Sequence, residues 1–419
     1  AALEAFDILD DQGLLAVIGF IGDPFQEIST KAMEKIQNGA YQNPLVLVES
    51  LNIPRRKVRN GLFQILEKLN IKNVDFFRFA RSQVEKSYLF FAQVEALQKL
   101  PESPERDLLM DHLTQERKTK VENILRVLSI QDTSGQMRII WRGLSSPDSR
   151  RRSNSIEALS DLLDKTLGKI LVPLLEEMPS EERLRIGRKH FSLPDAGGSP
   201  AALVSRFLTE ADWVTNLLAL SLMARQGLAG VSPEILQTLA ASENAPVRQM
   251  ARRALVAAAP DRVSDVDESA TGLDLPERIL YLKNIGIFEG LYVSELAAIG
   301  SVTEKVFHPA GELVMREGDT GDTLYLIIDG EVSVSKEARE GGGTAVEIDR
   351  IRTGDCFGEM ALFKEAPRSA TIRTISSSLF MVLHKREFTQ IVHEYPQIAL
   401  HICRTLSGRI RRLHDKVKD

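Results

Sequence analysis

The feature that most constrains this chain is a single change in the period of its apolar residues. Over roughly the first 260 positions they recur at intervals of three and four, which places them on one face of a helix. From Val306 to Leu383 they alternate with polar residues in short runs, which places them on one face of a strand. The chain therefore reads as an all-α part followed by a β part. Its 419 residues are enough for two to four domains.

Four segments of the helical part share one design. Asp23-Pro24, Ile53-Pro54, Ser146-Pro147-Asp148 and Ala245-Pro246 each open a stretch with polar residues on one face and Leu, Ile or Ala on the other. Proline is expected at the start of each helix, where its missing N–H leaves nothing unsatisfied. Ala158 and Ala254 are central small residues that let helices approach closely. The pattern resembles HEAT repeats, best between Gln136 and Ala259. That resemblance implies helix pairs stacked into a solenoid, because no single pair can bury its apolar face. It also implies a protein partner, or an attached membrane domain, held through the repeats. Residues 74–129 differ: they read as two long helices broken at Pro101-Glu102-Ser103-Pro104.

Three clusters in this part invite chemistry and receive a plainer reading. Arg150-Arg151-Arg152-Ser153 looks like a basophilic kinase site, yet it fits the solvated first turn of a repeat helix. His190 has no neighbouring Cys or second His, so no metal site is expected there. Phe76, Phe77, Phe79, Phe90 and Phe91 form a stripe at helical spacing and are expected in the core.

Pro260 to Leu275 shifts to Asp, Ser, Gly and Thr and reads as a linker. After it come a helix from Pro276, a tight turn at Ile285–Leu291 and a short helix over Val293–Ile299. Strands are then expected at Val306-Phe307, Leu313–Met315, Leu324–Ile328, Val332–Ser335, Ala345–Ile351, Ser369–Thr374 and Leu379–Leu383. Turn signals such as Glu317-Gly318-Asp319-Thr320-Gly321-Asp322 and Asp329-Gly330 separate them. Short strands at this spacing imply a jelly roll or barrel. A last long helix carries Ile402, Leu406, Ile410, Leu413 and Val417 in one stripe.

The run Phe357–Thr371, FGEMALFKEAPRSAT, carries the chemistry. Gly358 lets the backbone turn tightly. The Glu359 carboxylate can accept from a sugar hydroxyl. Met360, Ala361 and Leu362 can begin a short helix whose free N–H groups would face an anion. Pro367 stops that helix, and Arg368 offers a permanently charged fork suited to phosphate oxygens. Ser369 adds a hydroxyl, and Ala370 leads back into a strand.

This run resembles the phosphate-binding cassette of cyclic nucleotide-binding domains, as found in the catabolite activator protein, the regulatory subunits of cAMP-dependent kinase and cyclic nucleotide-gated channels. The family pattern F-G-E-[LM]-A-L, a spacer, then P-R-[AST]-A is met at every element. The resemblance extends over about Leu275 to the end. It implies a ligand site at Gly358, Glu359, Met360, Ala361, Arg368, Ser369 and Ala370, with the N–H groups of Ala361 and Ala370 assisting at the phosphate. In the family a Thr after the cassette Arg goes with cGMP and an Ala with cAMP. Ser369 has the hydroxyl without the methyl, and cAMP is the expected ligand, with cGMP second. The resemblance further implies that the last helix closes over the base. Leu406, Arg409 and Ile410 are the candidates to cover it, and the same helix allows a dimer.

The chain is expected to divide at 1–130, 131–260, 261–275 and 276–419. The fold class is multidomain, α and β: a HEAT-like all-α solenoid, then a cyclic nucleotide-binding β-barrel or jelly roll with flanking helices. Net charge is −5 and the pI about 5.9, which argues against a dedicated nucleic-acid binder. The catabolite activator type places a DNA-binding helix-turn-helix after the last helix, and the sequence given ends at Asp419. Cys356 and Cys403 have no metal-ligand spacing and suit a reducing cytoplasm. The apolar run Gly13–Gly22 is about half the length a bilayer requires. No nucleophile–base pair, metal cluster or Walker-type loop is legible, so no catalytic residue, metal or cofactor is expected. Chains that join HEAT-like repeats to this domain also resemble those found behind membrane nucleotide-transporter domains of the ATP/ADP translocase type, and the start at Ala-Ala without Met fits the expectation of a cytoplasmic part of such a protein. The alternative expectation is a helical-repeat scaffold whose nucleotide site is vestigial.

Overall fold

The structure is a computed structural model that describes residues 3, 6–23, 25–53, 55–69, 75–132, 134–194, 198–228, 230–258, 274–336, 346–363, 367–396, 398–404 and 407. It divides into two compact units, Ala1–Ile235 and Leu236–Asp419.

The first unit is helical. Its helix starts are punctuated by short polar side chains that take up the unpaired N–H groups of the first turn. Asp10, Asn43, Ser103, Asp148, Asp164, Ser199 and Asp212 all do so. The two long helices read around the Pro101–Pro104 break are Phe77–Leu97 and Pro104–Gln131. Ile18, Leu62, Phe63, Ile65 and Leu66 are buried in one core, which Phe76 and Phe79 join. Tyr88, Ile124, Ile170, Leu171 and Phe191 centre a second. Phe91 packs against Leu184. The helix Trp213–Gln226 is buried continuously from Val214 to Met223.

Proline placement departs from the expectation in one of the four segments. Pro246 lies inside the helix Ala245–Ala258, as read. Pro147, however, precedes the helix Ser149–Leu162, because the Asp148 carboxylate accepts from the N–H groups of Arg150 and Arg151 and so marks the boundary itself. Pro24 and Pro54 lie outside the described residues. Arg152 is less solvated than its motif suggests: its guanidinium donates to the Ser146 and Pro147 carbonyls (3.1 and 2.9 Å) and pairs with Glu177. The same device recurs. Arg59 donates to the Ile53 carbonyl and Arg248 to the Ser242 carbonyl, each six residues back.

In the second unit, a capping box at Asp274 and Glu277 starts the helix Leu275–Lys283. A 3-10 turn at Gly286–Phe288 and the helix Val293–Ser301 follow. The strands are β1 (Glu304–His308), β2 (Leu313–Met315), β3 (Thr323–Asp329), β4 (Glu331–Lys336), β5 (Val346–Arg352), β6 (Cys356–Phe357), β7 (Thr371–Thr374) and β8 (Ser378–His384). They form two antiparallel four-stranded sheets, ordered β1-β8-β3-β6 and β2-β7-β4-β5. Ile327, Val332, Phe357, Ile372, Phe380 and Val382 fill the space between them. This is a β-sandwich with flanking helices. The two-residue β6 escapes a reading by alternation because it is too short to show a period. The helix Lys385–Glu394 closes on the sandwich, and residues 398–404 are helical again.

Candidate ligand-binding site

The site is built where β6 ends. Phe357 is buried and stacks flat on Tyr325 (centroids 5.0 Å apart) while meeting Phe380 edge-on. This aromatic trio anchors the cassette to the core. At Gly358 the backbone takes φ +81°, and a Cβ there would lie 2.8 Å from both the Thr323 carbonyl and Arg368 Nη1. Only glycine therefore makes the turn. The cassette helix is a single turn, Met360–Phe363. Its Ala361 N–H, expected at an anion, here donates to the Gly358 carbonyl (3.1 Å). Ala361 and Leu362 are buried, and Met360 is 58% exposed. Lys364, Glu365 and Ala366 lie outside the described residues. The cassette helix packs against the helix Lys385–Glu394, which also contacts Val293–Ser301.

Arg368 is 8% exposed although it carries a permanent charge. Its main chain is clasped to the β2–β3 turn: the Arg368 N–H donates to Asp319 (2.8 Å), and the Gly318 N–H to Arg368 (2.9 Å). These bonds explain why β7 starts at Thr371 rather than at Ser369. Nη1 donates to the Thr323 carbonyl (2.9 Å) and, at longer range, to the Gly358 carbonyl (3.4 Å). Nη2 donates to the Thr323 hydroxyl (2.8 Å). Among the described residues Arg368 has no carboxylate partner, and its Nε–H and second Nη2 hydrogen are unused. A Cβ on Gly321 would lie 2.2 Å from Nε, 2.4 Å from Nη2 and 2.5 Å from Cζ. The guanidinium thus packs on the Gly321 backbone along its Nε–Nη2 side, in room that only the missing side chain provides.

A buried cation held only by neutral oxygens keeps its full charge available. Two donors on one edge of a guanidinium match two oxygens of a phosphate. Glu359 is half-buried and forms no ion pair with Arg368 among the described residues. Ser369 is exposed and Ala370 buried. Gly318, Asp319, Gly321 and Thr323 were not read from sequence as site residues. They fall in and just after the turn run Glu317–Asp322; the pattern from Gly321-Asp322-Thr323-Leu324 onward is itself part of the family resemblance, but it assigns none of these residues to the site. Leu406, Arg409 and Ile410 lie outside the described residues. Ahead of them, Ile398 and Ile402 are fully buried, and His401 Nε2 is hydrogen-bonded to the Glu289 carbonyl.

Comparisons with known proteins converge on this unit. Residues 305–395 match the family described as the cyclic nucleotide-binding domain. A CRP-like cAMP-activated global transcriptional regulator of Mycobacterium tuberculosis is 30% identical over 138 residues, 33% of this chain and 61% of the regulator. A cAMP-dependent protein kinase regulatory subunit of Dictyostelium discoideum is 30% identical over 112 residues, 26% of this chain and 34% of the subunit. The crystal structure of the Thermus thermophilus catabolite activator protein aligns at 25% identity with a TM-score of 0.29, covering 32% of this chain and 62% of that one. This chain thus spans less than two thirds of the length of each of these relatives. The family match and the two sequence relatives identify the C-terminal region as a cyclic nucleotide-binding domain, homologous to those of CRP-like regulators and of cAMP-dependent kinase regulatory subunits.

Proposed function

We propose that the chain is a cAMP-responsive regulatory protein, in which ligand binding to the sandwich changes the terminal helical segment and is read by the helical unit. The observation that carries this reading is the buried Arg368 guanidinium, held by neutral acceptors and with one donor edge unused among the described residues. In this reading the edge takes the cyclic phosphate and Glu359 takes the ribose 2′-hydroxyl. Gly358 and the cassette helix shape the cradle, with Ala370 beside it. Ser369, without the methyl of Thr, favours cAMP over cGMP. Relatives of both bacterial and kinase type are named for cAMP, which supports that choice.

The helical unit is proposed to be HEAT-like. The support is the recurring arginine that reaches six residues back, at Arg59 and Arg152, and at Arg248 after the unit boundary. Its role would be to hold a protein partner or an attached transporter-like membrane domain. Among the described residues no helix is long and apolar enough to cross a membrane. Exposed Leu9 (79%) and Phe25 (70%) near its first helices are the kind of surface such a partner covers.

A ligand shifts a conformational equilibrium only by binding its two states differently. The path proposed runs from the cassette helix, through Met360 and Leu362, to Lys385–Glu394 and onward to residues 396–417. Hydrogen exchange with and without cAMP tests it. Protection should rise across Phe357–Thr371 and change across residues 396–417. A response confined to the cassette would mean that the domain binds without signalling by this path.

A further inference from the structure

We infer that Thr323 is a positioning residue for the anion: its hydroxyl, acting with its carbonyl, fixes which edge of the Arg368 guanidinium faces the ligand. This inference rests on the reading of the site just given. Thr323 is the first residue of β3, and its backbone is fixed by pairing with His384 of β8. From that rigid position it engages both terminal nitrogens at once, the carbonyl at Nη1 (2.9 Å) and Oγ1 at Nη2 (2.8 Å). A guanidinium has five N–H donors in a fixed plane. Taking its terminal edge at two points therefore restrains the plane and leaves the Nε–H and the second Nη2 hydrogen, on the side that packs against Gly321, as the donors without a partner among the described residues.

The neutrality of Thr323 matters as much as its geometry. A carboxylate in its place would hold the same edge but would also neutralise the guanidinium and compete with an anion for it. Asp322, next in the chain, is exposed and uses its backbone carbonyl for the Lys385 N–H (2.7 Å). The carbonyl of Thr323 is present whatever the side chain, so the hydroxyl is the separable part. It contributes the second of two points, and two points are what define an orientation.

Thr323→Val keeps the shape and β-branching and removes only the acceptor; Thr323→Ser restores it. Calorimetry of the full chain with cAMP should show Thr323→Val weakened tenfold or more and Thr323→Ser within about threefold of the parent. The ligand-free melting temperatures should stay close to one another. A purely structural role is separated by repeating Thr323→Val in an Arg368→Lys background. An ammonium has no edge to orient, so the valine should add no further loss there. Undiminished binding by Thr323→Val, or an equal loss in both backgrounds, would overturn the inference while leaving the site intact. Failure of the parent to bind either cAMP or cGMP would remove the reading of the site and this inference with it.

Discussion

Gly321→Ala separates the binding geometry from the fold. Gly321 does not have a positive φ, so alanine is acceptable to its backbone. The new Cβ would nonetheless lie 2.2 Å from Arg368 Nε and 2.4 Å from Nη2. Ordinary carbon contact begins near 3.4 Å, so the guanidinium must retreat by about 1 Å. Its bonds to Thr323, now 2.8 and 2.9 Å, would then pass beyond hydrogen-bonding range. The group that yields is the far end of a flexible side chain, which can swing to water and be solvated there. The effect on folding should therefore be small, about 1 kcal/mol or less. The effect on binding should be large. An anion deprived of its buried partner loses about 2–5 kcal/mol, which is roughly thirty-fold to several thousand-fold in Kd. Thermal melts and calorimetry with cAMP on the same preparations measure both. A variant that melts like the parent and binds like it would refute the argument, because the guanidinium would then not be used where the structure holds it.

Glu359→Gln should weaken cAMP by about 1–3 kcal/mol, the range for a hydrogen bond to a charged group. The parent should prefer cAMP to 2′-deoxy-cAMP, and equal binding of the two would remove the ribose role. A separate test concerns the helical unit, where fully buried His112 pairs with Asp212 at 2.7 Å. Burial alone would lower the His112 pKa, but the charge and hydrogen bond of Asp212 outweigh it and raise it. Burial alone would raise the Asp212 pKa, but the charge of His112 and bonds from His112 and Thr215 hold it well below the usual carboxylate range. A raised histidine stabilises below its unfolded value, and that stability is lost as pH climbs through the folded one. A depressed carboxylate stabilises above its unfolded value, and that is lost as pH falls through the folded one. Both contributions are complete between about pH 4 and pH 6.5. Melting temperature should fall from that window toward higher pH, and His112→Gln should flatten this fall; an unchanged slope would refute the pairing.

The parts of this molecule that were legible in sequence are those whose signals are local. The strands near Leu324–Ile328 and Leu379–Leu383 alternate visibly, and the Pro101–Pro104 break between two long helices needs no tertiary information. The Glu359–Arg368 cassette is contiguous enough to be read as a pattern. The contacts of Thr323 and Gly321 with Arg368 are not legible in sequence, because they depend on a β2–β3 turn folding back onto Arg368, with Thr323 45 residues away. Nothing in a GDTGDT turn says which side chain it will meet. The boundary at Asp148 was missed for a different reason. Proline and aspartate both mark helix starts, and only the accepted N–H bonds decide between them.

The central claim is that the Arg368 slot is a working cyclic nucleotide site. Titration calorimetry of the full chain with cAMP and with cGMP, on the parent and on Arg368→Ala, tests it most directly. Saturable binding to the parent is expected, with a preference for cAMP and a loss of about 2–5 kcal/mol in Arg368→Ala. A preference for cGMP of about tenfold or more, near 1.4 kcal/mol, would overturn the choice of base. Equal binding by the parent and Arg368→Ala, or no binding by the parent, would contradict the claim itself.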